Sequence, residues 1–486
     1  MALLSELVEE ARLSARALKD CGDGLFNPTV RLGVTGLSRA GKTVFITALV
    51  HGLTRGGRFP VFESLATGRI ARARLAPQPD DDVPRFAYEE HLRTLVEERR
   101  WPNSTVDISE LRLVIDYQRS NGAERTLTLD IVDYPGEWLL DLPLLNKTFE
   151  EWSAESLLLA RAGPRAELAR DFLAHLATLD PNAPENEQTT LIAAKLFTDY
   201  LSACRDDRFA MSLLPPGRFL MPGNLAGSPA LTFAPLDVTE GGAPDGSLWA
   251  MMRRRFEAYK DVVVRPFFRD HFSRLDRQIV LVDALSAFNA GPEALHDLEA
   301  AMAGILDCFR IGRSTIFSSL FRPRVDRILF AATKADHLHH LSHDRLEEVL
   351  RRTVGQAVAR SELAGAAVDV VALAAVRATK EALVQRGRDK LPSIIGTPAK
   401  GELANGEAFD GETEVATFPG DLPANLDGLF EGGAFRGLST DAPDKADYRF
   451  LRFRPPRLVR NGAEEPALPH IRLDRALQFL IGDRLK

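Results

Sequence analysis

Cysteine is scarce: 486 residues hold only Cys21, Cys204 and Cys308. Widely spaced and odd in number, they exclude a disulfide framework and a cysteine-built zinc site, fit a reducing compartment, and read as small packing residues. No run of about 18 uninterrupted apolar residues occurs, so a membrane-spanning helix is not expected. Charge of one sign is not in excess either. The 61 basic and 68 acidic side chains leave a net −7, which disfavours a surface that coats nucleic acid. The opening MALLSELVEEARLSARALKD has no basic region ahead of an apolar core and carries Glu6, Glu9 and Glu10, so it does not read as a signal peptide. Internal repeats are missing. What remains is 45% apolar and 27% charged, an ordinary globular composition long enough for two to four domains, or for one enlarged by insertions. The expected location is cytoplasmic.

Periodicity organises the chain. Residues 1–25 place Leu4, Leu7, Val8, Ala11 and Ala15 at helical spacing and predict an amphipathic helix packed on the body. Residues 26–140 begin an α/β domain, in which the β-branched run Val30–Thr35 ends at Gly36 and Lys42 to Leu53 reads as helix. Gly56 to Asp82 is loop-like and Phe86 to Arg100 helical. Leu111–Tyr117 and Thr126–Val132 then alternate at period two around Ser120-Asn121-Gly122, a hairpin signal. Residues 141–275 predict a helical insertion, with helices over Glu150–Asp180 and Leu191–Arg205. Residues 276–385 resume the α/β domain. Strands at Gln278–Val282, Arg327–Ala332 and Val368–Leu373 alternate there with helices at Pro292–Phe309 and His343–Val358, the pattern of a mostly parallel sheet covered on both faces. Residues 386–486 predict a β-rich extension closed by a helix at Leu473–Ile481.

Gly36-Leu37-Ser38-Arg39-Ala40-Gly41-Lys42-Thr43 matches G-x-x-x-x-G-K-[ST] between that strand and helix. The glycines let the backbone wrap an anion, and consecutive N–H groups up to Val44 supply positive potential. Lys42 reaches the outer phosphates, and the Thr43 hydroxyl can hold Mg²⁺. This loop binds phosphate without choosing a base. Downstream, a strand ends in Asp133-Tyr134-Pro135-Gly136, a D-x-x-G string in which Asp133 can hold a magnesium-bound water and the Gly136 N–H can sense a γ-phosphate. Thr333-Lys334-Ala335-Asp336 follows an apolar strand and resembles the [NT]-K-x-D box of Ras-like GTPases. There the Asp336 carboxylate can accept two hydrogen bonds from guanine while the Lys334 stem lies along the ring. Adenine has no such donor pair, and the unpaired carboxylate would cost it about 2–4 kcal/mol. Each string follows a strand, which puts all three at the carboxyl edge of one sheet. A fifth loop, Leu373–Thr379, stands where Ras-like proteins aim a backbone N–H at the guanine oxygen, with Ala375 and Val376 as candidates.

Together with WPNSTVDIS, DYPGEW, AAVRAT and LDRALQFLIGD, the strings GLSRAGKT and TKAD make nearly the whole chain similar to the YcjX-like bacterial P-loop proteins, associated with phage-shock and heat-shock stress. The resemblance implies a Ras-like G domain carrying a large helical insertion, GTP and GDP as ligands with Mg²⁺, and a link to envelope stress. Resemblance and position favour Thr105 as the switch-I threonine that joins Thr43 and Asp133 on the metal, with Ser104 and Ser109 as alternatives. Where Ras-like enzymes carry a water-orienting glutamine, this chain has Glu137. A carboxylate facing a polyanion is repelled, so Glu137 is expected to point away or to be held by an arginine, with direct positioning of water as the alternative. Arg39 occupies the place where guanylate-binding proteins, which this loop resembles, carry a finger arginine; the alternative is a surface arginine paired with switch carboxylates.

Two clusters are read more plainly. His337, His339, His340 and His343 do not share one helix face and are expected at the surface without a metal. Tyr448–Arg457 interleaves arginines with aromatics and reads as an amphipathic strand with one solvated basic face. The expectation is a GTP/GDP-binding protein with slow Mg²⁺-dependent hydrolysis, Lys42, Arg39 and Glu137 being its catalytic candidates. A membrane-associated protein at the inner membrane and a nucleotide-dependent dimer are its candidate partners, and nucleic acid is not expected. The alternative is a nucleotide-gated scaffold with vestigial hydrolysis that docks a membrane partner. A kinase or ATPase would require Asp336 to be coincidental.

Overall fold

The computed structural model describes residues 28–37, 39–237, 244–307, 325–355, 358–359, 365–404, 407–420, 422, 450–458 and 466–486. The amphipathic helix expected at 1–25 lies outside them, as do Ser38, Cys21 and Cys308. Seven strands form the central sheet: β1 (Thr29–Gly36), β2 (Ile70–Ala76), β3 (Ser109–Gln118), β4 (Glu124–Asp133), β5 (Arg277–Val282), β6 (Arg327–Ala332) and β7 (Ala367–Ala372). Their order is β2-β3-β4-β1-β5-β6-β7. β1 lies parallel to both β4 and β5, β6 and β7 continue in parallel, and only β3 opposes its neighbours. The chain therefore builds one half of the sheet from β1 and then crosses to the other. The carboxyl end of β1 is the point of reversal where open α/β sheets bind ligands.

The described helices include α1 (Lys42–Arg55), α2 (Tyr88–Val96), α3 (Phe149–Ala160), α4 (Glu187–Cys204), α5 (Leu248–Tyr259), α6 (Pro292–Asp307), α7 (His343–Thr353) and α8 (Leu473–Ile481). Alternation in β5 divides them between two cores, since every residue of that strand is buried. Ile279 and Leu281 pack with Phe45, Ile46 and Leu49 of α1 and with Leu477 and Leu480 of α8. Val280 and Val282 face the other way, into a core shared with α3 to α7. A mixed, mostly parallel sheet covered on both faces agrees with the expected class.

Between β4 and β5 the regular elements described are helical. The expected helix over Glu150–Asp180 is broken, because Gly163 turns left-handed at φ +48° and Pro164 follows. The result is α3 and two short helices, Arg165–Leu168 and Arg170–Leu176. Thr148 starts α3 with a capping box: its hydroxyl accepts from the Glu151 N–H at 3.2 Å, and the Glu151 carboxylate accepts from the Thr148 N–H at 2.8 Å.

Other expectations shift. Gly56–Asp82 is not loop throughout, because β2 adds an edge strand there. The hairpin β8 (Lys380–Arg386) and β9 (Asp389–Gly396) straddles the expected boundary at 386 and joins β10 (Val415–Thr417) in a small antiparallel sheet. Phe450, Leu451 and Phe453 are buried. In the segment read as an amphipathic strand, the apolar side is thus drawn inward while Arg452 and Arg457 stay exposed, and the Arg454 N–H donates to Thr397 O at 2.8 Å. No described helix is long and apolar enough to cross a membrane.

Candidate functional site

Gly36 closes β1 and Lys42 opens α1, so the phosphate-loop string spans the turn between them. Two of its residues are left-handed, Arg39 at φ +60° and Gly41 at φ +84°. Lys42 Nζ donates to Gly36 O at 2.8 Å, which folds the ammonium over the loop. Gly136 lies directly on this turn: an added Cβ would sit 1.9 Å from Gly36 O and 3.0 Å from Leu37 N. Only glycine lets the chain leaving β4 approach so closely.

Beside the loop, three oxygen-bearing side chains converge. Thr43 Oγ1 lies 3.4 Å from Thr105 Oγ1, and Thr105 Oγ1 donates to Asp133 Oδ2 at 2.7 Å. Asp133 is buried, and its Oδ1 has no hydrogen-bond partner. Burial pushes this carboxyl up to about 6, against the pull of Lys42 and the Thr105 hydroxyl. An orphaned carboxylate oxygen beside two hydroxyls is the hard-oxygen set that suits Mg²⁺. Of the switch-I alternatives, Ser109 pairs in register with Asp133 within the β3–β4 ladder, whereas Thr105 reaches the carboxylate itself.

A cavity of about 330 Å³ runs from this cluster to the loops after β6 and β7. One end is walled by Arg39, Ala40, Gly41, Lys42, Thr43 and Val44, the other by Thr333, Lys334, Asp336, Ala375 and Val376. Asp336 is buried and accepts the Ala378 N–H at 2.7 Å, while its own carbonyl accepts from the Thr379 hydroxyl at 2.5 Å. Lys334, left-handed at φ +61°, pairs with Asp283. Burial works against the charge of Asp283, yet Lys334 and Ser286 hold it below the usual carboxylate range. Sequence reasoning missed Asp283, although it follows β5 at the same sheet edge, as Asp133 ends β4.

Other wall residues come from unforeseen places. Trp101 precedes the Thr105 segment and donates its indole N–H to Phe453 O at 2.6 Å. Phe453 stands edge-on to His337 at 5.4 Å, and Arg452 completes the rim. Glu137 is not among the lining residues. It faces a pocket of about 50 Å³ shared with Arg39, Arg205 and Asp207, and lies 3.7 Å from the Arg205 guanidinium. Its carboxylate thus points away from the larger cavity, toward Arg205. Arg39 pairs with Asp207, a residue of the insertion rather than of a switch segment. The histidines do not all sit at the surface, since His337, His339 and His343 are buried. His339, His340 and Glu381 bring ligand atoms within 4.8 Å of one another. Both Glu381 oxygens are already engaged, by His340 at 2.6 Å and Arg377 at 3.2 Å, so the cluster is a closed ion-pair group.

Comparison with known proteins places this geometry. The family model described as YcjX-like family, DUF463, matches residues 30–485. The chain belongs to the YcjX-like family. Similar relatives carry the name Ras-like GTPase YcjX. That of Escherichia coli (strain K12) is 38% identical over 474 residues, covering 94% of this chain and 96% of the relative. That of Shewanella oneidensis (strain MR-1) is 32% identical over 484 residues, covering 94% and 95%. In this YcjX-like chain the match begins in β1 and ends after α8, so it takes in the phosphate loop, the insertion and the C-terminal segment alike.

Proposed function

We propose that this protein binds GTP and GDP with Mg²⁺, hydrolyses GTP slowly, and uses nucleotide state as a switch read by its helical insertion. The observation that carries the reading is the single cavity walled at one end by the phosphate loop and at the other by buried Asp336. The name Ras-like GTPase borne by two full-length relatives supports it. The amides of residues 36–44 and Lys42 would hold the phosphates, and Thr43, Thr105 and Asp133 would hold Mg²⁺. When bound, the ion neutralises charge on the β- and γ-phosphates. Asp336 would read the guanine edge from a position fixed by the Ala378 N–H, with Ala375 and Val376 at the guanine oxygen. Competition of GTP against ATP tests the base. Asp336→Ala should lose at least about 30-fold in GTP affinity with little change for ATP, and equal wild-type affinities for GTP and ATP would reject the guanine reading.

Slow turnover follows from chemistry. Glu137 replaces the water-orienting glutamine, and its carboxylate lies in the smaller pocket, 3.7 Å from the Arg205 guanidinium. The same observation favours a second reading, a nucleotide-gated scaffold whose hydrolysis is vestigial. Single-turnover hydrolysis by purified protein separates the two, because a scaffold retains bound GTP unchanged over hours. A membrane-associated partner, a nucleotide-dependent dimer and a place in the envelope-stress response rest on the family resemblance.

A further inference from the structure

The arginine–aromatic segment ends up inside the site. Leu451 and Phe453 are buried, at 5% and 1% exposure, and fix the backbone on either side of Arg452. Phe453 also fills the space above Gly396, where a Cβ would meet its ring at 2.7 Å. The Arg452 side chain, 64% exposed, reaches to the rim of the nucleotide cavity with its Nε held by Glu402. Its other end meets Asp207 of the insertion at 2.9 Å. The second oxygen of the same carboxylate pairs with Arg39 of the phosphate loop. One acidic group outside the cavity wall therefore ties up two arginines that belong to that wall.

We propose that Arg452 is a second phosphate-facing cation of the nucleotide cavity, and that Asp207 is an internal anion holding Arg39 and Arg452 until a nucleoside triphosphate takes them. This rests on the reading that the cavity binds GTP. Asp207 is 51% exposed and Arg39 54%, so the bridge lies in solvent, where ion pairs contribute little. A triphosphate offers several negative charges and planar oxygen pairs that match the guanidinium fork, so it out-competes one exposed carboxylate. Burial first, then Arg205 and Arg452, lower the proton affinity of Arg39 against the opposing pull of Asp206 and Asp283, so other cations stand close to it. The exchange also has a mechanical product. A triphosphate that releases Asp207 frees residues 206–207 of the insertion from the phosphate loop and the C-terminal segment together, a route by which nucleotide state reaches the insertion.

The two ends of the bridge predict effects of opposite sign. Equilibrium binding of a non-hydrolysable GTP analogue and of GDP would be measured for wild type, Arg452→Ala and Asp207→Asn. Because all three side chains are largely exposed, the variants should fold, and thermal unfolding checks this. Arg452→Ala should weaken triphosphate binding about tenfold and GDP binding less. Asp207→Asn should tighten triphosphate binding several-fold. Asp207→Asn that weakens binding or leaves it unchanged, or Arg452→Ala without effect, overturns the proposal while the guanine reading stands. Wild-type protein that binds neither guanine nucleotide overturns both.

Discussion

The two faces of the sheet are built from different materials. Toward α1 and α8 the core is mainly aliphatic, with isolated rings such as Phe45 and Phe62, and is layered by the alternation of β1, β4, β5 and β6. Toward the insertion it is a ring cluster: Trp152 of α3 stacks on Phe256 of α5 at 5.1 Å and meets Phe233 and Phe197 edge-on at 5.3 and 5.9 Å. Buried charge enters this second core as well. Asp141 accepts from the Tyr259 hydroxyl and the Gly217 N–H, each at 2.6 Å. Arg218, next along, lies over the Trp138 ring at 3.1 Å. The first core is placed by a backbone ladder and tolerates exchange of like for like. The second is placed by side chains from distant segments, where each ring fixes the angle of the next.

The contrast can be broken by unequal responses. Trp152→Ala should cost about 3–5 kcal/mol in urea unfolding, because it removes the ring that four others pack against, whereas Ile279→Val in β5 should cost about 1 kcal/mol. Equal losses would erase the distinction. A smaller effect separates the cores by pH. Burial outweighs the hydrogen bonds of Tyr259 and Gly217 and pushes the Asp141 carboxyl up to about 6. The folded state then keeps its proton while the unfolded chain ionises near 4. Stability from this group is full below about pH 4 and falls, by on the order of 2 kcal/mol, as pH rises to about 6. Thermal melts across that window should show the decline, and Asp141→Asn should reduce it, leaving the share that Asp133 contributes. Least of all, Leu158→Ser, at a position 72% exposed on α3, should stay within about 0.5 kcal/mol, since it lies outside the ring cluster.

Legibility in the sequence follows the same division. The phosphate loop, the hairpin through Gly122 and helix α8 are local patterns, and each appears where its residues predict. The edge strand β2 hid because Ile-Ala-Arg-Ala-Arg-Leu-Ala alternates between small and basic residues among Gly- and Pro-rich flanks, so its apolar face is faint. At the site, Lys42, Thr43, Asp133 and Asp336 were legible as strings whose order implies one sheet edge. Asp207, Arg205 and Arg452 were not, because nothing in residues 205–207 or 450–454 says that the chain brings them back to a loop at residue 39. The burial of Leu451 and Phe453 was hidden for a related reason: these side chains meet Ile394 and His337, partners that no local window contains.

Two glycines give the molecule an unusual stiffness along one line. Gly136 rests on the carbonyl of Gly36, and Gly217 rests on the carbonyl of Glu137, each with only 1.9 Å to spare for a side-chain carbon. Main chain thus touches main chain twice in succession, from the end of β1 through the segment after β4 to the insertion. Side chains can rotate to absorb a small push, whereas close main-chain contacts have fewer ways to yield. A shift at the first turn would arrive at the last as displacement rather than as heat.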